Sequence, residues 1–449
     1  MQDASFWRKR PAGDQLKSPH IVIVGGPFGR FTSLVARQLR KDGIACTRVI
    51  LNGGDLFDWG LLSAAWYLRG LESWGEWIHQ HLLSSGATDL LVFGDTGPYT
   101  APAIAEARRC GLRVHVLEEG YFRPHWITLQ RDGVNGHSPL PKTAEFYREM
   151  VQGMTITPPV PVGKITPPAV RAMIWNHCLR ALMMPVFPGF RSGYSYGYVR
   201  QALSHVTRHV KHIRQKKAHQ ADVHRVIERA GPIFLVLLQR PGDSQLRVHS
   251  EFEKTADFIE AVIESFAASS PRDARLVFKA HPLDHGIEPH ERDIRRIADD
   301  FGIGDRCSFV EDGHLASLVR CAAGAVTVNS TAGLTAIEFG CPVITLGEAV
   351  YDVPGLTHQD SLDTFWERPA PPDLNLYHDF RTVMMAFTQI NGGYSNPAPM
   401  LMAAEAVAQR LLADALGAGR SLQNSGPEAL NTSGVFEDEA SLLQPVRNV

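Results

Sequence analysis

At 449 residues, 44% of them hydrophobic, the chain can bury the cores of two domains. Its 45 Lys and Arg nearly balance 47 Asp and Glu, and the formal charge of −2 gives no whole-protein pull toward nucleic acid. The six cysteines have no CxxC or Cys/His spacing, which argues against a zinc finger or a disulfide framework and for buried reduced thiols.

Residues 1–17 lack the apolar run of about 7–15 residues that a signal peptide needs and read as a flexible N-terminus. Ile21–Val24 is an apolar strand, followed by the turn GGPFGRF (25–31) and an amphipathic helix ending at Gly43. ACTRVILNGG is a second strand, TDLLVFGD (88–95) a third and LRVHVLEEG (112–120) a fourth, with helical stretches at 61–84 and 101–110. Strands alternating with helices predict a parallel, doubly wound sheet over 18–149, with functional loops at the strand C-termini. Those loops hold Gly29, Asn52, Asp55, Asp95, Glu118, Glu119, Tyr121 and Arg123. Arg123 beside two carboxylates suits either a local ion pair or a bidentate grip on a substrate carboxylate.

Residues 150–229 predict a basic helical linker. Between Glu149 and Asp222 there is no acidic residue, but there are ten cations, from Lys164 and Arg171 to Lys216 and Lys217. Trp175, Met183, Met184, Phe187, Phe190, Tyr194, Tyr196 and Tyr198 are interleaved with them. Such a stretch suits either an anionic lipid surface or a connector whose apolar members pack between domains.

The strand pattern restarts at PIFLVLLQ (232–239) and continues through 273–282, 307–312, 324–330 and 342–347, predicting a second α/β sheet over 230–372. The class is therefore α/β and GT-B-like: two facing Rossmann-like domains, with helices at 373–416 crossing back to the first. The Gly-, Ser- and Asn-rich tail at 417–449 reads as disordered. No stretch approaches the roughly 20 apolar residues needed to span a bilayer, so the expected location is cytoplasmic or peripheral on the inner membrane face.

In the second half, FKAHPLDHG ends a strand with His281-Pro282; the proline fixes the loop, so the imidazole projects from a rigid strand end. Lys279 shares its strand face. In VNSTAGLTAIEFGCP, Ser330 is a natural N-cap of a helix Thr331–Phe339 with Gly340 beyond it, a place that suits a phosphate. Gly333 would allow close approach there, and Glu338 faces solvent or a ribose. In LLQRPGDSQL, Asp243 stands between Gln239 and Gln245, suited either to an Asx turn or to a nucleophile at a cleft. GGPFGRF is neither GxGxxG nor a P-loop, and no HExxH, GxSxG or DxD-like pair appears, so a metal-free mechanism without a cofactor is expected.

GPFGRF, NGGD (52–55), LVFGD, EEGYFRP, GVNG (133–136), LQRPGDSQ, KAHPLD, VNSTAGLTAIEFGCPVITLG and YDVPGLT (351–357) occur in order over about residues 20–360. The ordered set resembles bacterial capsular polysaccharide biosynthesis and export proteins of the KpsS/KpsC type, the retaining β-Kdo transferases, in the proportions of a single-module member. The resemblance implies transfer of β-Kdo from CMP-Kdo, which is a substrate and not a cofactor, to a phosphatidylglycerol-type lipid. It places Asp243 as nucleophile, and His281-Pro282 with Ser330-Thr331 at the CMP phosphate. It also implies an anionic inner-membrane surface and other capsule assembly proteins as partners. FGDTGPYTAPA departs from the family, which carries a basic residue and a His after its Asp, so Asp95 has no assigned role. The alternatives are a sialyltransferase-like CMP-sugar transferase, a non-catalytic glycolipid-binding export component, and a GT-B-shaped sugar-nucleotide epimerase.

Overall fold

A computed structural model describes residues 18–192, 226–228, 230–240, 242, 244–282, 284 and 288–416. The expected flexible N-terminus, the tail from 417, Asp243, the tyrosines at 194, 196 and 198 and the linker cations from Arg200 to Lys217 lie outside the described residues.

Apolar runs form the central strands because both of their faces are covered. The first sheet is built from β1 (His20–Val24), β2 (Ala45–Ile50), β3 (Ala64–Trp66), β4 (Asp89–Phe93), β5 (Arg113–Glu119) and β6 (Trp126–Arg131). The second comprises β7 (Ile233–Leu237), β8 (Arg275–Lys279), β9 (Cys307–Val310), β10 (Ala322–Thr327) and β11 (Val343–Thr345). One further strand, β12 (Gln389–Asn391), closes the edge of the first sheet, whose order is β12-β6-β5-β4-β1-β2-β3. The second has the order β11-β10-β7-β8-β9 and is parallel throughout.

Both sheets thus share one Rossmann order, reversing at β1/β4 in the first and at β7/β10 in the second. Ligands bind beyond the carboxyl ends of the strands at such reversal points. The two halves share a hydrophobic core on one side, where Tyr121, Leu140 and Tyr147 meet Leu334, Tyr351, Tyr377 and Phe380. The Tyr147 and Phe380 rings lie 4.9 Å apart.

Several expectations are corrected. Residues 61–84 are not one helical stretch: β3 pairs with β2 as a parallel edge strand, and the helix occupies only Trp74–Ser84. Sheet pairing overrides the helix propensity of LLSAAW. Asn52–Asp55 is not an open loop, because the Asn52 side chain accepts from Gly54 N and Asp55 N and starts a helix at Gly53. The first sheet is mixed, since β5/β6 and β6/β12 are antiparallel. The crossing back includes that strand as well as helices. The helix Leu374–Thr388 leads into β12, and the helix Pro397–Ala415 lays Ala403, Ala404, Val407 and Ala408 into the core of the first half beside Phe31.

The described part of the linker does two things: Met150, Val151, Met154, Val226 and Ile227 pack into the core shared by the two halves, as a connector between domains would, while its helix lies on the first half. Its helix Pro167–Leu182 sends Asn176 Nδ2 to Asp58 Oδ2 at 2.7 Å, and Phe187 stacks on Trp66. Its other face leaves Val170, Ile174, Trp175 and Leu182 exposed, Leu182 by 74%. All six cysteines are free. Burial pushes the Cys46, Cys307 and Cys341 thiols up to about 12, whereas Cys178 and Cys321 are exposed, contrary to the expectation of burial.

Candidate functional site

A cleft of 440 Å³ opens between the two halves at the carboxyl ends of the second sheet. Its second-half wall includes Lys279, His281, Pro282, Ser330, Thr331 and Glu338; its first-half wall includes Tyr121, Phe122, Arg123, His125 and Trp126. The volume suits a small charged ligand, in the usual range of about 300–1,000 Å³.

Each group is held by local structure. Lys279 ends β8 and is buried, its Nζ donating to Ala280 O at 2.9 Å. His281 O accepts from Asp284 N at 2.9 Å, which turns the chain after the strand. Ser330 follows β10, and its Oγ accepts from Ala332 N at 3.3 Å. The helix runs over Ala332–Glu338, one residue shorter than expected at each end, with Thr331 as the capping residue and no side-chain cap bond from it. Seven residues make a short dipole, so hydroxyls and the lysine dominate the electrostatics here. Glu338 Oε1 lies 3.4 Å from Arg381 Nη1, which ties one end of the cleft.

Tyr121 is fixed by Tyr121 N donating to Gln389 Oε1 at 3.0 Å and by its hydroxyl accepting from Asn135 N at 2.7 Å; burial pushes its phenol pKa well up. Arg123 Nε donates to Gly120 O at 3.3 Å, and the residue is exposed to the cleft.

Other expected site residues are elsewhere. A Cβ on Gly333 would collide with the Tyr351 hydroxyl, whose ring carbon Cζ would be 2.8 Å away; this glycine makes room for Tyr351, not for a ligand. Gln239 is buried and donates to Asn329 Oδ1. Gln245 lies in the helix Ser244–His249, its side chain outside the described residues, and Asp243 is likewise not described. Asp55 is buried against Arg48, with Nη2 2.7 Å from Oδ1, and accepts from Asn52 Nδ2 at 2.9 Å; Arg180 Nε donates to Asn52 Oδ1 at 3.1 Å. Asn52 and Asp55 are thereby used up inside the first half, and Gly29 faces Met400 at a φ of 100°. None of the three lines the cleft. Glu118 and Glu119 also lie off it: Glu118 Oε1 accepts from Glu119 N at 3.0 Å, and burial raises the Glu118 pKa to about 7.

The sequence reading missed His125, Trp126, His314, Tyr377 and Arg381 of the cleft wall. It also missed a polar cluster at the first reversal point, where Asp95 accepts from Val134 N at 3.0 Å and lies 3.1 Å from His137 Nδ1. Hydrogen bonding to Asp95 raises the His137 pKa, whereas burial lowers that of His249 beside it. Their positions in distant segments leave no spacing pattern to read.

Residues 88–394 match the family described as capsule polysaccharide biosynthesis protein. The chain is 32% identical over 388 residues to the capsule polysaccharide modification protein LipB of Neisseria meningitidis serogroup A, covering 84% of this chain and 91% of that protein. It is 30% identical over 383 residues to the capsule polysaccharide export protein KpsS of Escherichia coli, covering 84% and 97%. Among solved structures, KpsC of Thermosulfurimonas dismutans, a beta Kdo 2,7 transferase, aligns with a TM-score of 0.41 and 14% identity over 88% of this chain and 98% of that one. No described helix is long and apolar enough to cross a membrane.

Proposed function

This chain belongs to the capsule polysaccharide biosynthesis protein family, and we propose that it acts there as a glycosyltransferase moving β-Kdo from CMP-Kdo to a phosphatidylglycerol-type lipid. The observation that carries the reading is one cleft in which Lys279, His281, Ser330 and Thr331 of the second half face Tyr121 and Arg123 of the first. A cation, an imidazole and two hydroxyls suit a single phosphodiester, whose departing charge they stabilise in a place partly shielded from water. The Kdo donor comes from the motif resemblance.

In this scheme Lys279, Ser330 and Thr331 hold the CMP phosphate, and His281 hydrogen-bonds the oxygen that leaves. The bond from the Kdo anomeric carbon to the phosphate oxygen breaks, and the Asp243 carboxylate takes that carbon on the opposite face. An acceptor hydroxyl then displaces Asp243 and gives its proton to the phosphate of the released CMP, so two inversions retain the configuration. Arg123 meets the acceptor phosphate. The membrane side follows the linker: Pro159 lines the cleft, Val160 and Ile165 are exposed beyond it, and Val170, Ile174 and Trp175 continue along the next helix. With Lys164 and Arg171 and no acidic residue over this stretch, that surface suits anionic lipid.

The test is purified protein incubated with CMP-Kdo and short-chain phosphatidylglycerol, read by product mass. One or more added Kdo units are expected, with loss in Asp243→Asn and a strong fall in His281→Ala. Transfer from CMP-sialic acid alone would replace the donor, and near-full transfer by Asp243→Asn would remove the nucleophile. Binding of CMP with no product from any acceptor would leave a glycolipid-binding component instead.

A further inference from the structure

Outside the cleft, side chains from both halves converge on one point. Asp95 follows β4, His137 ends the turn Asn135–His137 and His249 ends the helix Ser244–His249. Each offers one ligand atom, and these atoms lie within 4.8 Å of one another. The two imidazoles meet with centroids 4.3 Å apart at 64°. Glu348 Oε2 stands 3.6 Å from His249 Nδ1. His249 is only 1% exposed, yet neither of its ring nitrogens makes a hydrogen bond, and Asp95 Oδ1 has no partner either. Each such buried, unsatisfied group costs about 1–3 kcal/mol.

We propose that Asp95, His137 and His249, with the Glu348 carboxylate as fourth donor, bind a divalent transition-metal ion, Zn²⁺ by their donor set. Two imidazoles with carboxylates and no thiolate suit Zn²⁺ in tetrahedral coordination. Bonds of about 2.0–2.2 Å at tetrahedral angles set ligand atoms about 3.3–3.6 Å apart. The 3.1 Å between Asp95 and His137 and the 3.6 Å between His249 and Glu348 are close to that spacing. Val134 N holds the Asp95 carboxylate from behind, as an outer-shell donor orients a ligand.

Gly136 lets the turn come this close: a Cβ there would collide with the His249 ring and lie 2.7 Å from Glu348 Cβ. Asp95 and His137 belong to the first half and His249 and Glu348 to the second, so the ion acts as a staple across the junction. None of the four lines the cleft, and no step of sugar transfer runs through the ion. The proposal stands independently of the transfer reading.

The test uses the full chain, stripped with chelator and titrated with Zn²⁺ by competition against a fluorescent chelator, then with Co²⁺ by absorption. Wild type is expected to bind one ion, to show the intense visible bands of tetrahedral Co²⁺, and to unfold at higher temperature with Zn²⁺ present. His137→Ala, at a partly exposed side chain whose loss the fold tolerates, should weaken binding by about 100-fold or more and abolish those bands. His249→Gln should do the same. His79→Ala, at a half-buried ion pair with Glu106 away from the four donors, should leave Zn²⁺ binding unchanged. Equal binding by wild type and His137→Ala, or no stoichiometric binding by wild type, would overturn the site.

Discussion

The two halves share one strand order but use their polar residues differently. In the first, the groups near the end of β2 satisfy each other: Arg48 Nη1 donates to Thr32 Oγ1 and Nη2 to Asp55 Oδ1, both at 2.7 Å, with Asn52 completing the set. In the second, Lys279, His281, Ser330 and Thr331 sit at strand ends that open on the cleft. A Rossmann order therefore fixes where a ligand can bind but not which half binds it. That depends on whether the polar side chains at the strand ends line the cleft or are buried among one another away from it.

The comparison is tested most severely at Arg48, which is 1% exposed. Arg48→Met leaves the Asp55 carboxylate buried without its cation and should destabilise the protein by about 3–5 kcal/mol in chemical denaturation. An unchanged midpoint would mean the network is not structural. Asp58 is the next probe, because burial raises its pKa from 3.8 to about 6. The folded state then binds the proton more tightly than the unfolded chain, so its stability contribution is full below about pH 4 and falls as pH rises through about 6. At about 1.4 kcal/mol per unit, Asp58→Asn should gain up to about 2–3 kcal/mol at pH 8 and little at pH 4, while its amide oxygen still accepts from Asn176. A gain independent of pH would contradict the assignment.

The second half should respond in affinity more than in stability. Lys279→Met should keep the unfolding midpoint within about 1 kcal/mol, yet weaken CMP binding by at least about tenfold in calorimetry, as the loss of one charge-assisted hydrogen bond implies. Gly333→Ala should cost about 1–3 kcal/mol through its clash with Tyr351. It should also weaken CMP binding, because Tyr351 Oη donates to Ser330 O at 2.6 Å and would carry that turn with it. The smallest stability effect belongs to Trp175→Ser, below about 0.5 kcal/mol, since that ring is 59% exposed. Its measurable loss should instead be in flotation with anionic vesicles, and retained flotation would remove the helix from the membrane side.

The two halves also differed in how legible they were. The second sheet and the His281 and Ser330 loops could be read because their chemistry is local: an apolar run, a turn residue and a polar group follow one another in the chain. Asn52 and Asp55 were misread because a polar residue at a strand end looks the same whether it meets solvent or a cation such as Arg48 inside the preceding strand. β12 escaped notice because an edge strand of three residues, Gln389–Asn391, is defined by its partner rather than by its own pattern. Asp95, His137 and His249 come together only through tertiary contacts between segments far apart in the chain.

β12 has a consequence for dividing the chain. The chain passes between the halves twice, once through the linker and once on the way to Gln389, where it is sewn into the first sheet by backbone pairing with Thr128. Cutting the gene before residue 389 would leave the first half with a raw, unpaired sheet edge at β6 rather than a separable domain.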